Sequence, residues 1–195
     1  MSYSLSAFER CSDIEGLVLV VAKERLESVR ALVHLFGCNK VKSIVVASST
    51  RLDSVHAGLA VVAEYRAGTI VVHEGARPGV TPEIISETIR AARKCGAACA
   101  AHAIAEHVVE VGKGAKITGI PEGDQFYAAS TPQAFKTDVL QKALAHAAKK
   151  KLKPADEVAA ACAIKQDVQV VALKRPLIRI GSPIDLNLAE FYLRH

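Results

Sequence analysis

The stretch Thr69-Ile70-Val71-Val72-His73-Glu74-Gly75-Ala76-Arg77-Pro78 decides the fold, because in it an apolar run ends abruptly in polar residues. The four β-favouring residues at its start predict a buried strand, since β-branched side chains suit a pleated, packed surface. Gly75 permits a tight turn, and Pro78 prevents the strand from continuing. Glu74 and Arg77 therefore follow the carboxyl end of a strand, where open α/β sheets bind ligands. An alternative stays open, in which these two side chains simply pair with each other at the surface.

Strands and helices alternate on both sides of this stretch. The alternation predicts an α/β fold with a doubly wound, mainly parallel sheet and helices on both faces. We expect residues 1–195 to form a single domain. Further strands are predicted at 17–22, 41–47, 96–104, 168–173 and 177–180, and helices at 2–11, 23–36, 53–66, 80–94, 137–150 and 183–193, with a short helix beginning at 154–157. After a turn at 48–50, Asp53 is the expected cap of its helix.

The segment from Glu106 to Tyr127 has a different pattern. Apolar and polar residues alternate over 107–111, Gly112-Lys113-Gly114 predicts a turn, and residues 115–120 can return as a second strand. We therefore expect an antiparallel β-arm over about 105–127 that projects from the main sheet. A two-stranded hairpin is rarely stable alone, so this arm is expected to meet a partner subunit.

Composition narrows the functional classes. Apolar residues make up 50% of the chain, and no run approaches the ~20 that a membrane span requires. No signal peptide is visible, and five scattered cysteines, an odd number, indicate a reduced, cytoplasmic protein. The net charge of +5 suits anionic ligands. With no tryptophan and 5% aromatic residues, nucleic-acid binding is not expected.

Several short motifs occur together in a specific order. The segment VHEGARP at 72–78 is preceded by Arg51-x-Asp53-Ser54-Val55-x-x-Gly58-Leu59 and followed by Thr131-Pro132-Gln133-x-Phe135. Ala155-Asp156-Glu157, Ile178-Arg179-Ile180 and Asp185-Leu186-x-Leu188-Ala189-Glu190 complete the set. In these motifs, from about Ser4 onward, the chain resembles the 2-C-methyl-D-erythritol 4-phosphate cytidylyltransferase (IspD) family of non-mevalonate isoprenoid synthesis. Ribitol-phosphate cytidylyltransferases share most of them.

The resemblance implies a sheet of the nucleotidyltransferase type and a homodimer joined through the projecting arm. It also implies a reaction in which an oxygen of the substrate phosphate attacks the α-phosphorus of CTP and pyrophosphate leaves. Such phosphoryl chemistry depends on positioning negative charge, which the resemblance assigns to Mg²⁺, arginine and lysine.

The resemblance also implies roles for five residues. Ser54 matches a nucleotide contact, and Glu74 stands where the family places a metal-binding Asp. Arg77 and Thr131 match residues at the methylerythritol phosphate site. Arg179 matches a phosphate-binding Lys and is the one candidate catalytic residue. These roles suit the residue types, since a carboxylate suits a hard cation and guanidinium groups suit phosphates.

The chain departs from the family pattern in several places. It contains no match to the P-A-A-G-x-G-x-R-x-G loop with which family members open, so we expect the CTP-cradling half of the site to be missing. Glu74 replaces Asp, Ala47-Ser48 replaces a Gly-Gly pair, and the arm has Glu106-His107 and Gly123 at its substrate-reaching positions. Three hypotheses stay open: an IspD-type cytidylyltransferase, a ribitol-phosphate-type enzyme, and a non-catalytic dimeric homologue that at most binds phosphates.

Overall fold

The computed structural model describes residues 1–47, 50–123 and 125–194, and over these ranges the chain is an α/β protein. Two sequence predictions, Ser48 and Ser49 in the turn before Arg51, lie outside the described residues. The strands are β1 Leu17–Val21, β2 Val41–Val46, β3 Thr69–Val72, β4 Ala97–Ala103, β5 Glu110–Val111, β6 Ile117–Gly119, β7 Tyr127–Lys136 and β8 Val168–Ala172. The helices are α1 Ser2–Arg10, α2 Leu26–Leu35, α3 Arg51–Val62, α4 Pro82–Cys95, α5 Thr137–Lys149, α6 Glu157–Ala163 and α7 Pro183–Arg194, with 3-10 turns at Lys23–Arg25, Ala63–Tyr65 and Lys113–Ala115.

The main sheet has the strand order β3-β7-β4-β8. Strand β7 is antiparallel to both of its neighbours, which makes β3 parallel to β4, and β8 is parallel to β4. A second, two-stranded parallel sheet is formed by β1 and β2. Helices join β1 to β2, β2 to β3, β3 to β4 and β7 to β8, whereas β4 leads into β7 through the β5–β6 segment. The predicted doubly wound, mainly parallel fold is confirmed.

Two apolar clusters cover the two faces of the main sheet. Helices α1 and α4 supply Ala7, Phe8, Ile85 and Ile89 to one cluster. Helices α5 and α6 supply the other, which surrounds the fully buried Phe135 of β7 and includes partly buried side chains of α3. Helices therefore lie on both faces, as the sequence predicts for a doubly wound sheet.

The sequence predicts the arm and misses the central strand. Strands β5 and β6 pair antiparallel, so the hairpin within 105–127 is confirmed. Strand β7, with ten residues, was not expected, because its alanines, serine and Pro132 lack an apolar alternation. Its position is fixed instead by hydrogen bonding to β3 on one side and β4 on the other.

Two local predictions are wrong. Residues 177–180 form no strand, and the backbone hydrogen bond from Ile180 goes to the carbonyl of Ala76 in a loop, at 2.9 Å. The cap of α3 is Thr50, whose side chain accepts a hydrogen bond from the Asp53 amide at 3.1 Å. Asp53 occupies the third helical position, where its carboxylate accepts from the Thr50 hydroxyl at 2.7 Å.

None of the helices in the described part of the chain is both long enough and apolar enough to cross a membrane.

Candidate functional site

The site is built where β3 ends beside β7. Because Val72 pairs with Gln133 in the antiparallel register, Thr131 lies two positions further along β7, next to Glu74. The Glu74 amide donates a hydrogen bond to Thr131 Oγ1 at 3.1 Å, and His73 Nδ1 lies 3.0 Å from the same oxygen. Thr131 is 2% exposed, so its hydroxyl is committed to holding the loop that follows β3.

The loop from Glu74 to Pro78 is tied down by its neighbours on several sides. Its own turn is closed by the Arg77 amide, which donates to the Glu74 carbonyl at 3.0 Å. Ser4 of α1 donates from its hydroxyl to the carbonyls of Gly75 and Arg77, at 3.1 and 3.2 Å. The amide of Ile180 holds the middle of the loop through Ala76. The side chains of this loop therefore project from a fixed backbone.

Three arginines converge on the Glu74 carboxylate. Arg77 Nε donates to Oε2 at 2.6 Å, and Arg51 Nη1 donates to Oε1 at 2.9 Å. Arg179 Nε lies 3.6 Å from the same Oε1, within ion-pair distance. The pairing of Glu74 with Arg77 that the sequence left open is thus present, but the two side chains are only 21% and 16% exposed and the pair is one link in a larger network.

Arg51 extends this network to Glu157, which is fully buried. Arg51 Nη2 donates to Glu157 Oε2 at 2.6 Å and Arg51 Nε donates to Oε1 at 3.3 Å, so the pair is bidentate. Such a fork fixes the plane of the guanidinium group as well as its position. The guanidinium group that contacts Glu74 is therefore held in a fixed position by Glu157.

Strand β7 in turn holds the beginning of α6, which presents Glu157. Asp156 caps α6 by accepting from the Ala159 amide at 2.8 Å. The buried Gln133 donates to the other Asp156 oxygen at 2.8 Å and accepts from the Val158 amide at 3.3 Å. A polar side chain of β7 thus anchors the first turn of the helix that carries the buried carboxylate.

The arginines change the acidity of the groups that they contact. Burial alone raises the pKa of Glu74, but the hydrogen bond from Arg77 and the charges of Arg77, Arg51 and Arg179 outweigh it, so the pKa lies below its ordinary value. Burial lowers the pKa of Arg51, and the hydrogen bond and charge of Glu157 more than reverse this effect. Glu74 is ionised and Arg51 is charged throughout the physiological range.

The structure brings together three of the five residues predicted from the sequence. Glu74, Arg77 and Arg179 form one cluster. Thr131 holds the backbone of this cluster by accepting a hydrogen bond from the Glu74 amide. Ser54 lies apart from the ion pairs of the described residues, on the first turn of α3, where its hydroxyl donates to the Thr50 carbonyl at 2.8 Å.

Sequence reasoning assigned no role to Arg51 and Glu157, although both occur in the quoted motifs. They are 106 positions apart, and nothing local indicates that they pair. The one available signal was a Glu at the start of the apolar segment 157–163, because a carboxylate in such a helix is almost never fully buried without a partner.

Comparison with known proteins decides the family. The family model described as "IspD: 2-C-methyl-D-erythritol 4-phosphate cytidylyltransferase" matches residues 1–195. The chain belongs to the IspD family. This family comprises cytidylyltransferases of the methylerythritol phosphate pathway to isoprenoids, that is, nucleotidyltransferases that use CTP and a sugar phosphate.

Individual IspD relatives match over more than four fifths of their own length. A 2-C-methyl-D-erythritol 4-phosphate cytidylyltransferase from Pelotomaculum thermopropionicum is 31% identical over 100% of this chain and 82% of its own. One from Dehalococcoides mccartyi is 28% identical over 100% of this chain and 83% of its own. A crystal structure of 4-diphosphocytidyl-2C-methyl-D-erythritol synthase from Anaerococcus prevotii superposes with a TM-score of 0.89 at 23% identity, over 100% of this chain and 85% of that one. The last comparison supports the fold.

The buried pair predicts a specific stability effect. Glu157→Gln keeps the shape of the side chain but removes the charge that faces Arg51, and breaking a buried ion pair typically costs ~3–5 kcal/mol. Because Arg51 is partly exposed and can recover water contacts, we expect a loss near the lower end, about 3 kcal/mol. Urea unfolding at pH 7.5 measures it. The matched control is Glu190→Gln, which removes the exposed Glu190–Arg194 pair and should cost less than about 1 kcal/mol. Equal costs for the two variants would contradict the network described above.

A second prediction concerns His73, whose pKa is lowered to about 4, chiefly by burial, with the Arg77 and Arg51 charges adding to the effect. The unfolded chain, with a histidine pKa near 6.5, binds more protons between these values, so stability rises with pH from about 4 to about 6.5. The gain is on the order of 3 kcal/mol and is fully present above pH 6.5. His73→Asn should flatten this part of the curve of unfolding free energy against pH. An unchanged slope between pH 4.5 and 6.5 would show that His73 is not the group responsible.

Proposed function

We propose that this chain acts as an IspD-type cytidylyltransferase, converting CTP and 2-C-methyl-D-erythritol 4-phosphate to the cytidine diphosphate derivative and pyrophosphate. The observation that carries the proposal is the convergence of Arg51, Arg77 and Arg179 on one carboxylate at the edge of the sheet. We assign the phosphate of the polyol substrate to Arg77 and Arg179, as the family resemblance implies.

The geometry supports this assignment. Arg77 is held by Glu74 through Nε and by the Leu177 carbonyl through Nη1 at 2.7 Å. Its orientation is therefore set before a ligand arrives, and preorganised donors stabilise anionic groups most effectively. The Arg179 side chain is 65% exposed and lies near Glu74 without a hydrogen bond to it, so its guanidinium group is available to a phosphate.

In the proposed reaction an oxygen of the polyol phosphate attacks the α-phosphorus of CTP, a new P–O bond forms, and the bond to pyrophosphate breaks. The protein contributes position and positive charge, because such a displacement requires little covalent help. Arg77 and Arg179 would orient the attacking phosphate. Ser54 is proposed to contact the nucleotide, and Thr131 acts indirectly by fixing Glu74.

Mg²⁺ is the ion that the family resemblance implies, with Glu74 as its ligand. The residues present do not fit that role. Both Glu74 oxygens already accept hydrogen bonds from arginines, and the described residues contain no group of three His, Cys, Asp or Glu side chains that could hold a metal ion. A divalent cation would also lie against three positive charges. No step proposed for these side chains therefore runs through a metal ion.

The convergence of three arginines on Glu74 also supports a second candidate, a non-catalytic homologue that binds phosphates beside these arginines. If the only role of Glu74 is to hold the three arginines together, the cluster can bind an anion without activating a triphosphate. Binding and turnover must therefore be measured separately.

The test uses two matched substitutions in one segment. Arg179→Gln removes the proposed phosphate contact, while Arg175→Gln removes a cation–π contact with Tyr192, 5.7 Å from the ring centroid. Pyrophosphate release is measured with CTP, Mg²⁺ and methylerythritol phosphate, and methylerythritol phosphate binding is measured by calorimetry. In Arg179→Gln we expect KM for methylerythritol phosphate, if the parent chain turns over, or Kd, if it only binds, to rise ~10–100-fold, since a charge-assisted hydrogen bond contributes ~1.5–3 kcal/mol. Arg175→Gln should leave KM unchanged.

Three outcomes separate the candidates. Release of pyrophosphate refutes the non-catalytic homologue. Binding of methylerythritol phosphate that depends on Arg179, without turnover, refutes the enzyme and supports the second candidate. If the parent chain neither binds methylerythritol phosphate nor turns it over at millimolar concentration, both are wrong.

We also propose that the chain forms a homodimer through the arm at 105–127, in a reducing cytoplasmic environment. The arm has a highly exposed apolar surface, with Val111, Ile117 and Ile120 at 59%, 66% and 76% exposure. Exposed apolar side chains at this density are typical of an interaction surface. The five thiols, none of them paired in the described residues, fit a reducing compartment.

Light scattering tests the dimer. The parent chain should have about twice the mass of one chain, 20.7 kDa. Ile117→Lys together with Ile120→Lys should shift it to monomer, because two charges would enter an apolar interface. A monomeric parent at 50 μM would contradict the proposal.

A further inference from the structure

His73 lies beside the candidate site without belonging to its ion-pair network. It comes directly after β3 and directly before Glu74. The ring centroid is 5.1 Å from that of Phe8, and ring nitrogen Nδ1 is 3.0 Å from Thr131 Oγ1. Packing against Phe8 requires only an apolar ring. The nitrogen at hydrogen-bond distance from Thr131 therefore needs a separate explanation.

The Thr131 hydroxyl sets the demand that this nitrogen meets. A hydroxyl carries one proton and two lone pairs. One lone pair of Thr131 Oγ1 accepts the Glu74 amide hydrogen at 3.1 Å. Thr131 is 2% exposed, so its proton needs an acceptor inside the protein. In the part of the chain that the structure describes, His73 Nδ1 is the one acceptor within hydrogen-bond distance of Oγ1.

The two neutral forms of His73 differ in how many polar groups they leave unpaired. With the ring proton on Nε2, Nδ1 accepts from Thr131 and the hydroxyl is satisfied. With the ring proton on Nδ1, the ring and the Glu74 amide both donate to Oγ1, and the Thr131 proton has no acceptor. Nε2 is buried without a hydrogen-bond partner among the described residues in either form. The form protonated at Nε2 therefore leaves one group unpaired instead of two, and it is favoured.

The surroundings keep the ring uncharged and leave the Thr131 proton to it. Burial is the main reason that the pKa of His73 is lowered to about 4, and the charges of Arg77 and Arg51 act in the same direction. The Arg77 carbonyl is a second acceptor near the ring, and it already accepts from the Ser4 hydroxyl at 3.2 Å. At neutral pH the imidazole is thus neutral, as an acceptor at Nδ1 requires.

We propose that His73 is a positioning residue, which accepts the Thr131 hydroxyl proton at Nδ1 and thereby fixes the backbone of Glu74. Because the proton of Thr131 points to the ring, only a lone pair can face the Glu74 amide. The hydrogen bonds then run in one direction, from the Glu74 amide to Thr131 and from Thr131 to His73. A chain of bonds with one direction is stronger than its separate members.

The position of Glu74 determines the position of the arginines. Its carboxylate accepts from Arg77 Nε at 2.6 Å, and Arg179 Nε lies 3.6 Å from it. If the Glu74 amide were released, both guanidinium groups would lose a fixed partner, and a phosphate would have to order them on binding. The effect of His73 on ligand binding rests on the proposed function, because these are the arginines assigned to the polyol phosphate.

The same hydrogen bonds limit what Thr131 can do. Its proton is held by His73, so the hydroxyl has none to donate to a phosphate oxygen. Thr131 therefore influences phosphate binding through Glu74 alone, and the donors to the phosphate are guanidinium groups.

Nitrogen NMR tests the direction of the bond without any ligand. In two-bond proton–nitrogen correlation spectra, a ring nitrogen that carries a proton is well separated from one that does not. We expect His73 to show a protonated Nε2 and an unprotonated Nδ1 at pH 7, and a His73→Asn sample identifies the signals by their absence. A protonated Nδ1 would overturn the proposal.

Two substitutions of His73 separate positioning from packing. His73→Asn keeps an acceptor near the place of Nδ1, whereas His73→Leu keeps apolar bulk against Phe8 and has no acceptor. We expect exchange of the Glu74 amide hydrogen to accelerate at least ~10-fold in His73→Leu and less than ~3-fold in His73→Asn. A packing role requires the opposite order, and that order would refute the positioning role. Circular dichroism establishes that both variants are folded.

A double-mutant cycle with Thr131→Val measures whether the two residues act as one unit. Calorimetry gives Kd for methylerythritol phosphate. His73→Leu and Thr131→Val should each weaken binding ~5–10-fold, because the arginines must then be ordered by the ligand. The double variant should bind no more weakly than either single variant, since all three break the same chain of hydrogen bonds. Additive losses would contradict the proposal.

Failure of the proposed function is distinguishable from failure of the positioning role. If the parent chain does not bind methylerythritol phosphate, the proposed function is wrong, while the nitrogen signals and the Glu74 amide exchange still decide the role of His73. If the parent chain binds and His73→Leu binds equally tightly, the positioning role is wrong and the proposed function stands. If His73→Leu does not fold, the nitrogen signals of the parent chain and Glu74 exchange in Thr131→Val give the decision.

Discussion

The buried carboxylate of Glu157 is the constraint on which the candidate site depends. An ionised group with no exposure requires a charged partner and a full set of hydrogen bonds. Arg51 meets both needs with a bidentate contact, and its remaining nitrogen then reaches Glu74. Glu74 in turn collects Arg77 and Arg179. A buried charge at the start of α6 thus sets the geometry of the loop that follows β3.

This arrangement gives Glu74 a role different from that of an isolated carboxylate. Three guanidinium groups so close together would repel one another, and a single carboxylate between them lowers that repulsion while fixing their directions. The longer side chain of Glu, compared with Asp, lets both oxygens reach arginines on different elements of the fold. The cluster of three arginines around Glu74 is therefore suited to bind an anion. The same excess of positive charge lowers the pKa of Glu74.

The sequence predicts most of the fold and about half of the site, and the division follows from the range of the interactions. Glu74 and Arg77 could be placed because β3 and its turn are encoded within ten consecutive residues. Strand β7 could not, because its structure depends on neighbours on both sides rather than on its own alanine-rich sequence. The bond between Arg51 and Glu157 joins positions 106 residues apart, and periodicity carries no information about such a pair. The expected strand at 177–180 is wrong for a related reason: Leu177 packs in the apolar cluster of α1 and α4, and the segment pairs with no strand edge.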